Sequence, residues 1–288
     1  MDNRKGIAIG VLIALACMIA VTACITPDGE KVAGEEGIGV VVTILPQEDF
    51  VENVGGDRVH VTVMVPPGAS LHTYEPTASQ LKEVSKAKVY FKVGSGVEFE
   101  QAWMDKIMSV NSDMQVVDCA EGITKLGKDP HIWNSPVNAI VMVENVCDGL
   151  CQVDPEHEAY YMANRDKYLQ ELNDLDIYIH ERLDCFTGNR VFMIYHPAFG
   201  YFAAEYALTQ IAIEHKGKAP TPKVIQDCVD KARQYNLSYI YVAPQFATKD
   251  AETIAHEIGG QTVFLDPLPR YYIASMRSVA ASLALEME

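Results

Sequence analysis

Three histidines and one aspartate stand where a metal ion could be gripped. His72 lies in "GASLHTYEPT" (68–77), His131 in "KDPHIWNSP" (128–136), His196 opens "HPAFGYF" and Asp266 begins "DPL". Three imidazoles and one carboxylate make a donor set suited to a borderline divalent cation such as zinc. Any one of these histidines, taken singly, reads as a hydrogen-bonded structural residue, and "LDPL" alone is a common turn. The chemistry lies in what the four share. His196 follows "VFMIY" directly and Asp266 follows "TVFL" directly. His72 comes just beyond "VHVTVMV" and a Pro-Pro-Gly turn, and His131 comes beyond "QVVD" and a glycine-containing loop. Each therefore lies past the carboxyl end of a strand-like run, where ligands bind in open α/β sheets. Pro130, Pro197 and Pro267 adjoin three of them and stiffen the loops that aim the side chains.

The elements that must position these residues are legible as patterns. Strand-like runs occur at 39–45, 59–65, 88–93, 114–118, 190–195, 239–243 and 262–266, with amphipathic helical stretches at 76–87, 97–109, 223–235 and 249–258. Strand alternating with helix predicts an α/β fold: mainly parallel sheets with helices on both faces. From Pro155 to about Cys185 there is neither strand signal nor glycine. Tyr161, Tyr168, Leu172, Leu175, Ile179 and Leu183 recur there at the spacing of one helix face. Asp154 as N-cap and Pro155 at the first helical position start it, and a helix of about 30 residues spans roughly 45 Å. Two of the four candidate ligands precede this helix and two follow it. If each half is a lobe, they meet only in the cleft between lobes.

The remaining histidines take structural readings. His60 alternates with apolar neighbours in a strand, and His157, His180, His215 and His256 fall on charged helix faces or ends. Glu75 reads as part of a helix start with Pro76 and Thr77 rather than as a ligand. Trp133 and Tyr74 read as packing around the site or, equally, as plain core packing.

Bulk properties narrow the field of partners. The chain has 288 residues, 49% apolar and 22% charged, with a formal net charge of −16. That size supports one large domain or two medium ones. The charge is a poor match to nucleic acid, which needs a basic patch, and an acidic surface attracts cations. At the N-terminus, "MDNRKG" precedes the uncharged run "IAIGVLIALACMIAVTA", an export-signal pattern. "VTAC" (21–24) resembles a bacterial lipobox, which makes Cys24 the lipidation site and the acidic "ITPDGEKVAGEEG" a tether outside the membrane. Cys119, Cys147, Cys151, Cys185 and Cys228 are odd in number, and Cys147 and Cys151 share a helix face where a disulfide is strained. Reduced core thiols are the expectation.

The four motifs, in this order, resemble the metal-binding extracytoplasmic proteins of zinc and manganese ABC transporters. "VDPEHEAYYMANRDKYLQELNDLD" resembles the family's lobe-linking helix and "GVEFEQAWMDK" a further family segment. The resemblance covers roughly residues 38–286 and implies two α/β lobes joined by one long rigid helix, with the ion between them. It divides the chain into a signal peptide (1–23), tether (24–37), N-terminal lobe (38–154), linking helix (155–186) and C-terminal lobe (187–288). The implied ligands are His72, His131, His196 and Asp266. The sequence departs from the family pattern in two places. "EGITKLGK" stands where many zinc-specific members carry a His- and acid-rich loop, and Asn134 replaces a commonly apolar residue, a change expected to alter packing rather than ligation. Manganese-type members tend to carry a carboxylate at the third ligand, whereas His196 adds nitrogen and favours zinc over manganese.

The expected function is that of a solute-binding lipoprotein, not an enzyme. It captures Zn2+ (alternatively Mn2+) as a monomer at the outer face of the cell membrane and delivers it to an ABC transporter permease. A secreted zinc hydrolase needs an open coordination position and a general base, and no His-Glu-x-x-His motif is present. The other alternative is a surface adhesion protein with structural histidines.

Overall fold

Apolar runs of β-branched and aromatic residues that can be buried on both faces make the centres of two parallel sheets. A computed structural model describes residues 37–214, 217–246 and 248–287. The first sheet takes β1 (Ile38–Val42), β2 (Val59–Val63), β3 (Val89–Lys92) and β4 (Gln115–Asp118) in the order β2-β1-β3-β4. The second takes β5 (Val191–Ile194), β6 (Thr209–Ala212), β7 (Tyr239–Val242) and β8 (Gln261–Phe264) in the order β6-β5-β7-β8. Every pairing is parallel, so all carboxyl ends in a sheet face the same way. Central β1 and β5 bury Val40, Val41, Val42 and Phe192, Met193, Ile194 completely, whereas the edge strands are partly exposed. Reversal of strand order between β1 and β3, and again between β5 and β7, opens the crevice used for ligands in such sheets.

In the first half the helices are α1 (Leu45–Gly55), α2 (Ala78–Val84), α3 (Glu98–Val110) and α4 (Pro136–Val153). The linker is α5 (Glu158–Leu183), followed by α6 (Gly200–Glu205), α7 (Pro222–Gln234), α8 (Lys249–Ile258) and α9 (Tyr272–Met287). The buried face of α5 is Tyr161, Tyr168, Leu172, Leu175, Ile179 and Leu183, as the spacing predicts. Its start differs from expectation. Pro155–His157 form a 3-10 turn, and the α-helix begins at Glu158, giving 26 residues and about 39 Å. Asp154 caps no backbone amide; it accepts from Tyr161 Oη at 2.5 Å and pairs with His157 Nδ1 at 2.9 Å.

Helix α5 is fastened to both halves. Tyr168 Oη donates to Asp49 at 2.7 Å and Asn164 Nδ2 to the Val54 carbonyl at 3.0 Å on α1, while Tyr206 Oη donates to Asp176 at 2.7 Å from the second half. Although last in sequence, α9 packs against α5 and β5, and its fully buried Tyr272 meets Phe50 of α1 edge-on at 5.0 Å. One apolar core consequently runs from Val40 and Phe91 through α5 to Phe192, Ile194 and Leu283. A satellite core with Met193, Ile240, Val229 and Ile254 fills the other face of the second sheet.

Strand β6 has no counterpart among the sequence-predicted runs, because "TQIA" is four residues long and half polar. All five cysteines among the described residues are free thiols; Cys119, Cys147 and Cys228 are buried, whereas Cys185 is exposed. Burial pushes the Cys147 thiol up to about 12. No helix of the described residues is long and apolar enough to cross a membrane. The signal-peptide, tether and Cys24 assignments lie outside the described residues.

Candidate metal centre

The loop after β2 is built to deliver His72. Ala69 N–H donates to the Pro66 carbonyl at 3.1 Å, closing a turn with Pro67 inside it and Gly68 at φ +77°. That conformation is open to glycine and strained for other residues. Downstream, Thr77 caps α2 by accepting from Gln80 N–H. Gln80 Nε2 then donates to the Val63 and Met64 carbonyls at 2.9 and 2.7 Å, tying the loop's far end back to β2. Glu75 is exposed, and the helix-start reading of "EPT" holds through Thr77.

His131 ends the long loop after β4. Asp129 Oδ1 accepts from His131 N–H at 3.0 Å, and the chain passes through a 3-10 turn into α4, which Ser135 caps. Gly200 lies against the Asp129 carboxylate, where a Cβ would collide with Oδ2. His196 sits two residues beyond β5, its backbone tightened by an Ala198 N–H bond to the His196 carbonyl at 2.8 Å.

These three rings converge. His131 and His196 ring centres are 5.1 Å apart, His72 and His196 5.2 Å apart, and the Nε2 atoms of His131 and His196 face each other at 3.2 Å. Each Nδ1 has a carboxylate beside it: Asp129 Oδ1 at 2.7 Å from His131, Glu214 Oε1 at 3.1 Å from His196, and Glu98 Oε2 at 3.1 Å from His72. For His131 and His196 the partner draws the proton to Nδ1 and leaves Nε2 as the lone pair. With both protons on Nδ1, two lone pairs would face each other at 3.2 Å, an arrangement that a shared cation would satisfy. Two nitrogens about 2.0–2.1 Å from one tetrahedral zinc lie about 3.3 Å apart, close to the spacing observed.

Electrostatics agree with this arrangement. His131 and His196 are each 6% exposed. Burial pushes the His131 pKa down, against the upward pull of Asp129, and so favours the neutral ring that a metal needs. Burial pushes Glu214 up, yet its hydrogen bonds with His196 and the Gly217 N–H hold it below the usual carboxylate range.

The three histidines, with Trp133, Gln245 and Leu268, line a cavity of about 20 Å³, room for one water-sized particle. Outward lies a cleft of about 620 Å³ bordered by Glu98, Lys128, Asp129 and Glu214. Phe246 stacks on His196 at 4.5 Å and Trp133 meets His131 edge-on at 5.3 Å. Trp133 thus packs at the site as expected. Tyr74 instead packs on Phe99 and donates to Gln80.

Asp266 stands apart from the three rings. Its Oδ1 accepts from Gln245 Nε2 at 2.9 Å and from Leu268 N–H at 3.0 Å, and it borders a different cleft with Phe264 and Tyr271. Among the described residues, no three His, Cys, Asp or Glu side chains have donors already drawn together as a metal shell. Of the histidines read as structural, His157 pairs with Asp154 and His180 with Asp184, and His215 lies outside the described residues. The sequence reading missed Asp129, Glu214, Glu98, Gln245 and Phe246. Glu214, like His196 and Asp266, stands just beyond a strand's carboxyl end, but that strand, β6, is too short to be read from the sequence.

Asn134 does bear on packing: its Nδ2 donates to the Ala198 carbonyl at 2.9 Å, joining the His131 loop to the His196 loop. Trp133 Nε1 likewise donates to the Pro267 carbonyl at 2.6 Å, and Tyr272 Oη to the Trp133 carbonyl at 2.7 Å.

Comparison with known proteins agrees with this architecture. A manganese-binding lipoprotein, MntA of Halalkalibacterium halodurans, is 29% identical over 88% of this chain and 87% of its own length. The high-affinity zinc uptake system protein ZnuA of Bacillus subtilis is 27% identical over 90% of this chain and 88% of its own. A crystal structure of ZnuA superposes with a TM-score of 0.84 at 36% identity, covering 88% of this chain and all of that one. The family described as "Zinc-uptake complex component A periplasmic" matches residues 40–285, and the chain belongs to it.

Proposed function

We propose that this protein is the extracytoplasmic solute-binding component of a metal ABC transporter, which captures zinc in preference to manganese and passes it to a membrane permease. The carrying observation is the pair of Nε2 atoms facing each other at 3.2 Å, each on a ring whose Nδ1 is engaged by a buried or half-buried carboxylate. His72 stands beside them, with its side chain 28% exposed, as the ligand nearest the mouth of the cleft. Asp266 completes the set as the fourth ligand once an ion draws the donors in. Four protein donors leave no position for an activated water, as in closed zinc sites, so the ion is cargo rather than a catalyst. Membership of the metal-uptake family and relatives named as lipoproteins support export and tethering through Cys24. The protein works as a monomer on the outer face of the cell membrane.

His196→Ala tests this reading. Titration calorimetry should show zinc affinity weakened by orders of magnitude, with circular dichroism unchanged. Unaltered affinity would remove His196 from the shell and the reading with it.

A further inference from the structure

Gln245, in the loop after β7, connects the three-histidine cavity to Asp266. It lines the cavity, and its Nε2 donates to Asp266 Oδ1 at 2.9 Å. Its own Oε1 is buried without a hydrogen-bond partner. The amide orientation is forced, because the reversed one would set a carbonyl against a carboxylate. A buried unpaired carbonyl is unfavourable, so this glutamine sits there at a cost to stability. The Leu268 N–H at 3.0 Å is the second donor on Oδ1, while Oδ2 of Asp266 accepts no hydrogen bond among the described residues.

We propose that Gln245 is a positioning residue that sets the metal preference of the site, by confining Asp266 to one donating oxygen. Zinc is satisfied by four donors in a tetrahedron. Manganese favours a larger, oxygen-rich shell, which a carboxylate assists by binding through both oxygens. Here Oδ1 carries two N–H donors, and chelation through both oxygens would have to break them. Gln245 would then hold a buried amide with neither end paired. Three imidazoles plus Oδ2 alone would make four donors, the zinc number. The inference rests on the reading that the cavity holds the ion and that Asp266 joins the shell.

The test replaces Gln245 with Ala and, to retain side-chain volume, with Leu. Zinc and manganese affinities are measured by competition, cobalt(II) absorption reports coordination number, and thermal melts check folding. The Leu268 N–H remains in both variants, so the effect is partial: the zinc-to-manganese affinity ratio should fall by about tenfold or more, the scale of outer-shell mutations. The cobalt spectrum should move from strong tetrahedral bands towards the weak bands of higher coordination. An unchanged ratio with an unchanged spectrum in both folded variants overturns the proposal, as does a weak, high-coordination spectrum in the unaltered chain. If Gln245 changes nothing while His196→Ala abolishes binding, only this inference falls. If the unaltered chain binds neither ion, both readings fall.

Discussion

Each buried imidazole of the site is aimed from its far side. Glu214, from the loop after β6, fixes His196, and Asp129, from His131's own loop, fixes His131. Removing such a partner leaves the ring in place but frees its tautomer and tilt. Glu214→Ala should therefore lower zinc affinity by about 10–100-fold, read by competition with a chromophoric chelator. Glu214→Gln, which keeps an acceptor oxygen, should recover part of the loss. Equal affinities in all three proteins would show that His196 is oriented by other means. Asp129 was in plain view two residues before His131, yet nothing in "KDPH" says that its side chain turns back to the ring.

At the scale of elements, the ends of β1 and β3 are bound together by one acid. Glu100, in the first turn of α3 and 6% exposed, accepts from Thr43 Oγ1 at 2.6 Å, Val93 N–H at 2.6 Å and Gly94 N–H at 3.0 Å. Glu100→Ala strands these three donors and should cost about 3 kcal/mol or more. Burial raises the Glu100 pKa in the folded chain, against those hydrogen bonds. A carboxyl with a raised folded pKa contributes stability that is fully present below the unfolded value of about 4.5 and is lost as pH rises through the folded value. The destabilisation by Glu100→Ala should accordingly be larger at pH 4.5 than at pH 8, measured by urea unfolding. A difference that grows with pH instead would contradict the burial-dominated shift. Helix α5 was readable because its apolar face repeats over 26 residues. Strand β6 was not, because four residues carry too little pattern and its pairing with β5 supplies the rest. Asp154 was expected to cap α5, but a side-chain pairing with His157 and Tyr161 wins, and the helix begins after the 3-10 turn.

For the whole molecule, the two sheets are not independent bodies. A common core passes through α5 and α9. Bonds cross between the halves at Trp133–Pro267, Asn134–Ala198 and Tyr272–Trp133, and Arg270 pairs with Glu52 of α1 at 3.1 Å. Shared burial couples the stability of both halves. Differential scanning calorimetry of the metal-free protein should show one transition, with calorimetric and van't Hoff enthalpies equal. Two resolved peaks would mean that the lobes fold separately and that the crossing bonds count for little. The same ties predict small lobe movements on ion release, so exchange relies on the His72 side of the cleft, where the site is most exposed.

Seven of the eight strands, the buried face of α5 and the order of the four candidate ligands were all legible in the sequence alone. Periodicity and strand-then-ligand spacing are local properties that each segment carries with it. Only the tertiary structure decided which candidates meet. Three histidines from two sheets share one small cavity, while Asp266 is held aside by Gln245 and Leu268. Partners such as Glu214 and His196 are 18 residues apart, and Trp133 and Pro267 are 134 apart. Contacts over such separations depend on how the two sheets are set against α5, which no window of sequence contains.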